Sequence, residues 1–270
     1  MRMPHILVAT IAATLAIAAP AAAEPTWAPA ASAPVHPGVQ TITEGGQCTS
    51  NFVFFDASDN VYLGQAAHCS GTGGSTDTDG CQTTSLPNGT PVEVRGADSP
   101  GTLVYNSWTA MGAAGETDPD ACAYNDFALI QIAAGDVGKV NPSVPKLGGP
   151  NGLGGATQTG DDVYSYGNSS LRAGVTVLSP KRGKSLGTEG NGWTHLVYTA
   201  TPGVPGDSGS GFMDATGRAF GVLSTLQIAP VAGSNGVSDL AKAIAYMESH
   251  GGPDVTLANG TQPFTGSLVG

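Results

Sequence analysis

Three short motifs in this 270-residue chain hold side chains that could act on one another. "TATPGVPGDSGSGF" (199–212) sets Ser208 behind Gly206 and Asp207 and ahead of Gly209 and Gly211. A serine hydroxyl is a weak nucleophile at neutral pH and needs an adjacent base. The base in turn needs a carboxylate to fix its tautomer and stabilise its charged form. "GQAAHCS" supplies His68, between the small pair Ala66-Ala67 and Cys69. "NDFALIQI" supplies Asp126 at the mouth of an apolar run, where burial is costly unless a donor such as an imidazole N–H meets the carboxylate. Glycine at 206 frees the backbone so that the N–H groups of 206 and 208 can converge on one spot, as an oxyanion hole requires. Each residue alone reads as structural: a turn serine, a strand-end histidine, a turn aspartate. Together they point to nucleophilic acyl chemistry.

Other candidates carry less. His36 lies in a Pro-rich stretch, His195 in a strand-like run and His250 on the last turn of a helix, where a cation suits the dipole. A lipase-type elbow needs glycine two places after its serine, and Ser210 stands there. "STDTDG" (75–80) lacks the downstream glutamate of a calcium loop, and no CxxC pair exists for zinc. No metal and no cofactor is expected. Asn88, Asn168 and Asn259 fit the glycosylation sequon.

The elements that must position these residues have the texture of short strands. "NFVFFD", "VYLGQAAHC", "PVEVRG", "TLVYNSWTAM" and "DFALIQI" recur between turn signals. "DDVYSYG", "GVTVLS", "THLVYTA", "GFMDA" and "AFGVLSTLQI" follow after a Gly/Pro-rich connector. The spacing predicts a signal peptide at 1–23, a pro-segment or extended lead-in without a clear element at 24–46, and a first β-unit at 47–138. A linker at 139–160, a second β-unit with a helix at 161–252 and a tail at 253–270 complete the expected organisation. In "VSDLAKAIAYMESHGG", Leu240, Ala243, Ile244 and Met247 mark one helical face, with Ser238 to cap its start and Gly251 to end it.

Arg2, the apolar run Ile6 to Ala19 and Ala21-Ala22-Ala23 have the layout of a secretory signal, which predicts a secreted, extracellular protein. Beyond it, nine Lys and Arg face 21 Asp and Glu, a balance of −12 that argues against nucleic acid as a partner. No later stretch approaches 18 apolar residues, so no membrane anchor is expected, and the chain is read as a monomer. Four cysteines in an oxidising compartment predict two disulfides, with three connectivities open.

"AAHC", "NDFALI" and "GDSGSG", in that order, resemble the chymotrypsin-like (trypsin-like) serine endopeptidases, and the small secreted bacterial members above all. The resemblance implies an all-β fold of two perpendicular six-stranded antiparallel β-barrels with a C-terminal α-helix and the site between the barrels. It implies His68 as general base, Asp126 as its orienter, Ser208 as nucleophile, and Gly206 and Ser208 as oxyanion donors. Ser224 would bond the aspartate, and its backbone, with that of Thr225 and Leu226, would meet the substrate. Cys48 would join Cys69, leaving Cys81 with Cys122. Protein or peptide substrates, and protein inhibitors, are the implied partners. The chain departs from the family where "GDSGGP" reads "GDSGSG". It also has no Ile- or Val-led amino terminus to pair with Asp207 and no arginine at the place where bacterial members carry one; Arg172 lies close by, and the partner of Asp207 stays open. Pro202 occupies the position of the acid that selects Lys and Arg, and Leu226 replaces a pocket-wall glycine, so apolar residues are expected before the cut. The alternative is a catalytically silent trypsin-fold binding or regulatory protein.

Overall fold

The computed structural model describes residues 24–74, 78–227 and 231–267. The signal expected at 1–23 and part of the "STDTDG" stretch lie outside them. Fourteen strands are present among the described residues. The first sheet uses β1 (Gln40–Thr43), β2 (Gly46–Thr49), β3 (Val53–Phe55), β4 (Val61–Gln65), β5 (Pro91–Val94), β6 (Gly101–Asn106), β7 (Ala128–Gln131) and β14 (Thr256–Leu257). The second uses β8 (Asp162–Tyr166), β9 (Pro180–Glu189), β10 (Thr194–Thr199), β11 (Gly211–Asp214), β12 (Ala219–Leu226) and β13 (Asn235–Asp239). Helices α1 (Ser107–Ala114), α2 (Pro119–Tyr124) and α3 (Leu240–Ser249) complete it.

The second sheet closes into a six-stranded barrel in the order β10-β13-β12-β11-β8-β9. The first is a curled sheet of eight strands, β14-β3-β4-β7-β6-β5-β1-β2. The all-β, two-unit architecture with a C-terminal helix therefore stands, while the first unit carries two strands more than six. Its extra width comes from the segment before residue 46, where β1 pairs with both β2 and β5, and from the tail, where β14 pairs with β3. The lead-in thus holds a strand after all, and Val35 is fully buried against the linker through a bridge to Val140.

Each unit has its own apolar centre: Val53, Leu63, Val92, Leu103 and Ile130 in the first, and Val163, Val197, Phe212, Phe220 and Val237 in the second. A third cluster joins them, with Phe52, Phe54 and Phe127 against Met213, Val222, Leu240 and Met247. Burial on this scale, at about 25 cal/mol per Å² of apolar surface, fixes one unit against the other. No helix of the described residues is long and apolar enough to cross a membrane.

Four local expectations change. "TLVYNSWTAM" is a strand only to Asn106, whose side chain then accepts from the N–H of Trp108 and Thr109 and starts α1. "GVTVLS" forms a 3-10 turn at Thr176–Leu178, with Val177 exposed, because no neighbouring strand takes up its alternation. Two strands, β9 and β13, arise where no apolar alternation marks them. Helix α3 is capped by Asp239, which accepts from the Lys242 N–H at 2.7 Å, and not by Ser238, which is turned to the neighbourhood of Asp126. Gly251 follows the helix at φ +78°, the left-handed turn that its sequence position suggested.

Candidate active site

The residues singled out by type converge on a cleft of ≈ 840 Å³ between the two units, lined by His68, Asp126, Gly206, Ser208, Ser224, Thr225 and Leu226 among others. His68 lies in a short 3-10 turn (Ala67–Ser70) that follows β4, and Cys69 in the same turn is joined to Cys48 of β2 with 6.1 Å between their Cα atoms. The second disulfide joins Cys81 to Cys122 of α2, just ahead of Asp126.

Asp126 is buried and grips His68 twice. Its Oδ1 accepts from the His68 backbone N–H at 3.0 Å and its Oδ2 lies 2.7 Å from His68 Nδ1. Ser224 Oγ donates to the same Oδ2 at 2.5 Å, and the Asp126 N–H donates to Ser238 Oγ at 3.2 Å. With Nδ1 engaged by the carboxylate, Nε2 of His68 is the nitrogen left for proton transfer. Burial opposes the imidazolium, but the attraction and hydrogen bond of Asp126 outweigh it and raise the His68 pKa above its ordinary value. Burial likewise opposes the Asp126 carboxylate, and His68 and Ser224 outweigh it, so that its pKa is lowered. Trp108, one of three tryptophans, packs its ring 6.4 Å from the His68 ring and closes that side of the cleft.

The serine loop is held both by close backbone approach and by side chains. A Cβ on Gly209 would lie 2.5 Å from Thr49 O and 2.9 Å from Ala66 N of the first unit, and one on Gly211 would meet Phe52 Cζ at 2.5 Å. Gly206 adopts φ +92°, and its carbonyl accepts from Gln47 Nε2 and Thr49 Oγ1 at 2.9 and 2.7 Å. Pinning that carbonyl turns the peptides on either side. Among the described residues, neither the Gly206 N–H nor the Ser208 N–H has an acceptor. No hydrogen bond joins Ser208 Oγ to His68 Nε2 among them either.

Asp207 has two cationic partners. Arg172 Nη2 pairs with its Oδ2, and Lys181 Nζ reaches the same atom at 2.9 Å. Asp207 and Lys181 are wholly buried. Burial and the two cations pull the Asp207 carboxyl in opposite senses, and the cations prevail and lower its pKa; for Lys181 burial prevails and lowers the ammonium. Arg172 stood near in the sequence. Lys181, inside the polar run "PKRGK", carried no signal that could have found it.

The four residues expected to meet substrate divide. Ser224, Thr225 and Leu226 line the cleft, whereas Pro202 is outside the lining and turns its carbonyl toward Arg172 Nη2 (3.1 Å) and Lys181 Nζ (3.4 Å). Leu226 is 52% exposed and stands at the rim. Beyond Leu223, β12 is paired only on its β13 side, so Ser224–Leu226 present an open backbone edge to the cleft. Of the other histidines, His195 is fully buried between Asp239 (2.9 Å) and Thr157 (3.0 Å), and His250 stacks on Tyr246 at 3.8 Å.

No protein-family model and no curated protein sequence matches the chain. Solved structures do. Thermobifida fusca Protease A is similar at 14% identity and a TM-score of 0.53, over 84% of this chain and 99% of that one. A glutamic acid specific serine protease, described as using a histidine triad in substrate binding, is similar at 15% identity and a TM-score of 0.52, over 83% and 100%. A Glu endopeptidase is similar at 14% identity and a TM-score of 0.51, over 79% and 89%. At such identities the likeness is one of fold, and the fold of this chain is that of the bacterial chymotrypsin-like serine proteases.

Proposed function

We propose that this protein is a secreted serine endopeptidase that hydrolyses peptide bonds through an acyl-enzyme, with Ser208 as nucleophile, His68 as general base and Asp126 as its positioning carboxylate. The observation that carries this reading is the double grip of the buried Asp126 on the backbone and ring of His68, in the same cleft as Ser208. In the reaction, His68 Nε2 takes the Ser208 Oγ proton as Oγ bonds to the peptide carbonyl carbon. The oxyanion is met by the free N–H groups of Gly206 and Ser208. His68 then gives its proton to the departing amine as the C–N bond breaks, and a water repeats the two steps in reverse to release the acid. The substrate backbone runs along the open edge at Ser224–Leu226.

An apolar residue before the cut fits this cleft. The charged residues that line it, Glu44, His68 and Asp126, leave the Gly203–Pro205 and Ser224–Leu226 walls neutral. Behind Pro202, Arg172 and Lys181 outnumber Asp207, which disfavours a substrate cation there. Two disulfides suit an oxidising, extracellular compartment. A serine-directed fluorophosphonate tests the reading. It should label the protein and not Ser208→Ala, whose peptide hydrolysis should fall by roughly 10⁴–10⁶. An unlabelled, inactive parent would favour the silent binding module, and an active Ser208→Ala would end the triad assignment.

A further inference from the structure

The recess that would receive the side chain before the cut has an occupant of its own. If Ser208 attacks the carbonyl and the acyl half of the substrate lies along Ser224–Leu226, that side chain must enter between this strand and Gly203–Pro205, the segment leading to Ser208. Both segments line the cleft, together with Leu223 and Asn235. Asn235 begins β13, is fully buried, and lays its carboxamide from one wall to the other. Its Oδ1 accepts from the Gly203 N–H at 2.8 Å, and its Nδ2 donates to Gly203 O at 3.3 Å and to Thr225 O at 3.1 Å. Both amide hydrogens are used, so the group cannot swing aside without breaking three bonds and orphaning a buried N–H.

The packing around it leaves no slack. A Cβ on Gly203 would lie 2.6 Å from Leu223 Cδ1 and 2.9 Å from Asn235 Nδ2, so Leu223 and the amide already fill the space against the Gly203 backbone. On the opposite wall, a Cβ on Gly236 would meet Thr225 Oγ1 at 2.5 Å. Leu226 is half exposed at the rim.

We infer that Asn235 is the specificity-determining floor of this recess and that the substrates are peptides with a small side chain, of the size of alanine, before the cleaved bond. The inference rests on the peptidase reading and narrows it. Leucine and phenylalanine are excluded by depth, lysine and arginine by depth and by charge.

The test is a peptide series differing only at that residue (Ala, Val, Leu, Phe, Lys), hydrolysed by the parent and by Asn235→Ala and Asn235→Ser. Fluorophosphonate titration counts active sites in each. The parent should favour Ala over Leu and Phe by at least about 10-fold in kcat/KM, as expected for a pocket that cannot hold added methylenes. Shortening Asn235 should raise the Leu/Ala and Phe/Ala ratios by about 10-fold or more, with serine, which can keep one bond to Gly203, the better folded of the two variants. A parent that is labelled and cuts after Leu or Phe as well as after Ala would overturn the inference and leave the peptidase reading intact. A labelled variant with unchanged ratios would do the same. If neither variant folds, the preference of the parent alone decides the floor's depth. A parent that is neither labelled nor active would remove the reading on which the inference stands.

Discussion

Replacing Asp207 with asparagine should cost more than replacing either cation that holds it, and the order follows from counting charges. Lys181 and Arg172 share one carboxylate oxygen, so the buried cluster carries one net positive charge. Asp207→Asn keeps the shape and can still accept from the Ser169 N–H, now at 3.0 Å, but leaves two cations with no anion. Removing one partner of a buried pair costs about 3–5 kcal/mol, and the second cation places this variant at the upper end. Lys181→Met leaves Arg172 and Asp207 matched one to one. It forfeits a bond of 3.2 Å to Thr201 O, and Pro202 O keeps its bond from Arg172, so the loss should be at most about 2 kcal/mol. In the double variant a single uncompensated cation remains, so it should be more stable than Asp207→Asn alone. Urea unfolding in a Ser208→Ala background, which prevents self-digestion, measures all three. The charge count is refuted if Asp207→Asn is no less stable than Lys181→Met, or if adding Lys181→Met to it lowers stability further. In the active background Asp207→Asn should also cut kcat by about 10²–10³, because the peptide that carries the Ser208 N–H loses its anchor.

Activity should rise with pH through the titration of His68, and Asp126 places the half-rise above the ordinary imidazole value of 6.5. A half-rise of kcat/KM below that value would count against the His68–Asp126 grip. Stability should run the other way: the folded state prefers the protonated ring, so this contribution is complete below the unfolded value and is lost as pH climbs through the folded one, as thermal melts across that window would show. Gly206→Ala should lose about 10²-fold in kcat with its secondary structure retained, since its Cβ would lie 2.5 Å from Gln47 Oε1 at a φ of +92°; unchanged kcat would exclude that peptide from the oxyanion site. Replacing Cys81 and Cys122 together should lower unfolding stability by about 4 kcal/mol, from the 41 residues that the bond spans, and an unchanged urea midpoint would show that the unfolded chain is not what this bond restrains.

The sequence announced the residues that stand in the cleft better than the strands that support them. Ser208, His68, Asp126 and Ser224 sit in short motifs, and the structure brings all four to one cleft. Strands β3, β4, β7, β8, β10 and β12 lie where apolar runs marked them. Strands β9 and β13 left no such mark because most of their buried positions are polar and spoken for. In β9, Lys181 serves Asp207 and Ser185 bonds Thr157. In β13, Asn235 ties Gly203, Ser238 supports Asp126 and Asp239 holds both His195 and the start of α3. A period-2 hydrophobic pattern cannot appear where the inward face is a hydrogen-bonded network. The same strands therefore hid Lys181 and Asn235, whose partners are distant in sequence and have no local signature.

The pairing of Leu257 with Phe54 also governs the order in which the molecule can be made. A chain emerging in sequence order presents β3 early, with one edge open, and the strand that covers this edge follows the other thirteen and α3. The early sheet must wait in an incomplete form, with β3 paired to β4 alone. Long-range closure of this kind slows folding. It also means that every later element, from the serine loop to α3, is already present when the first unit is finally sealed, so the cleft and the finished sheet arrive together.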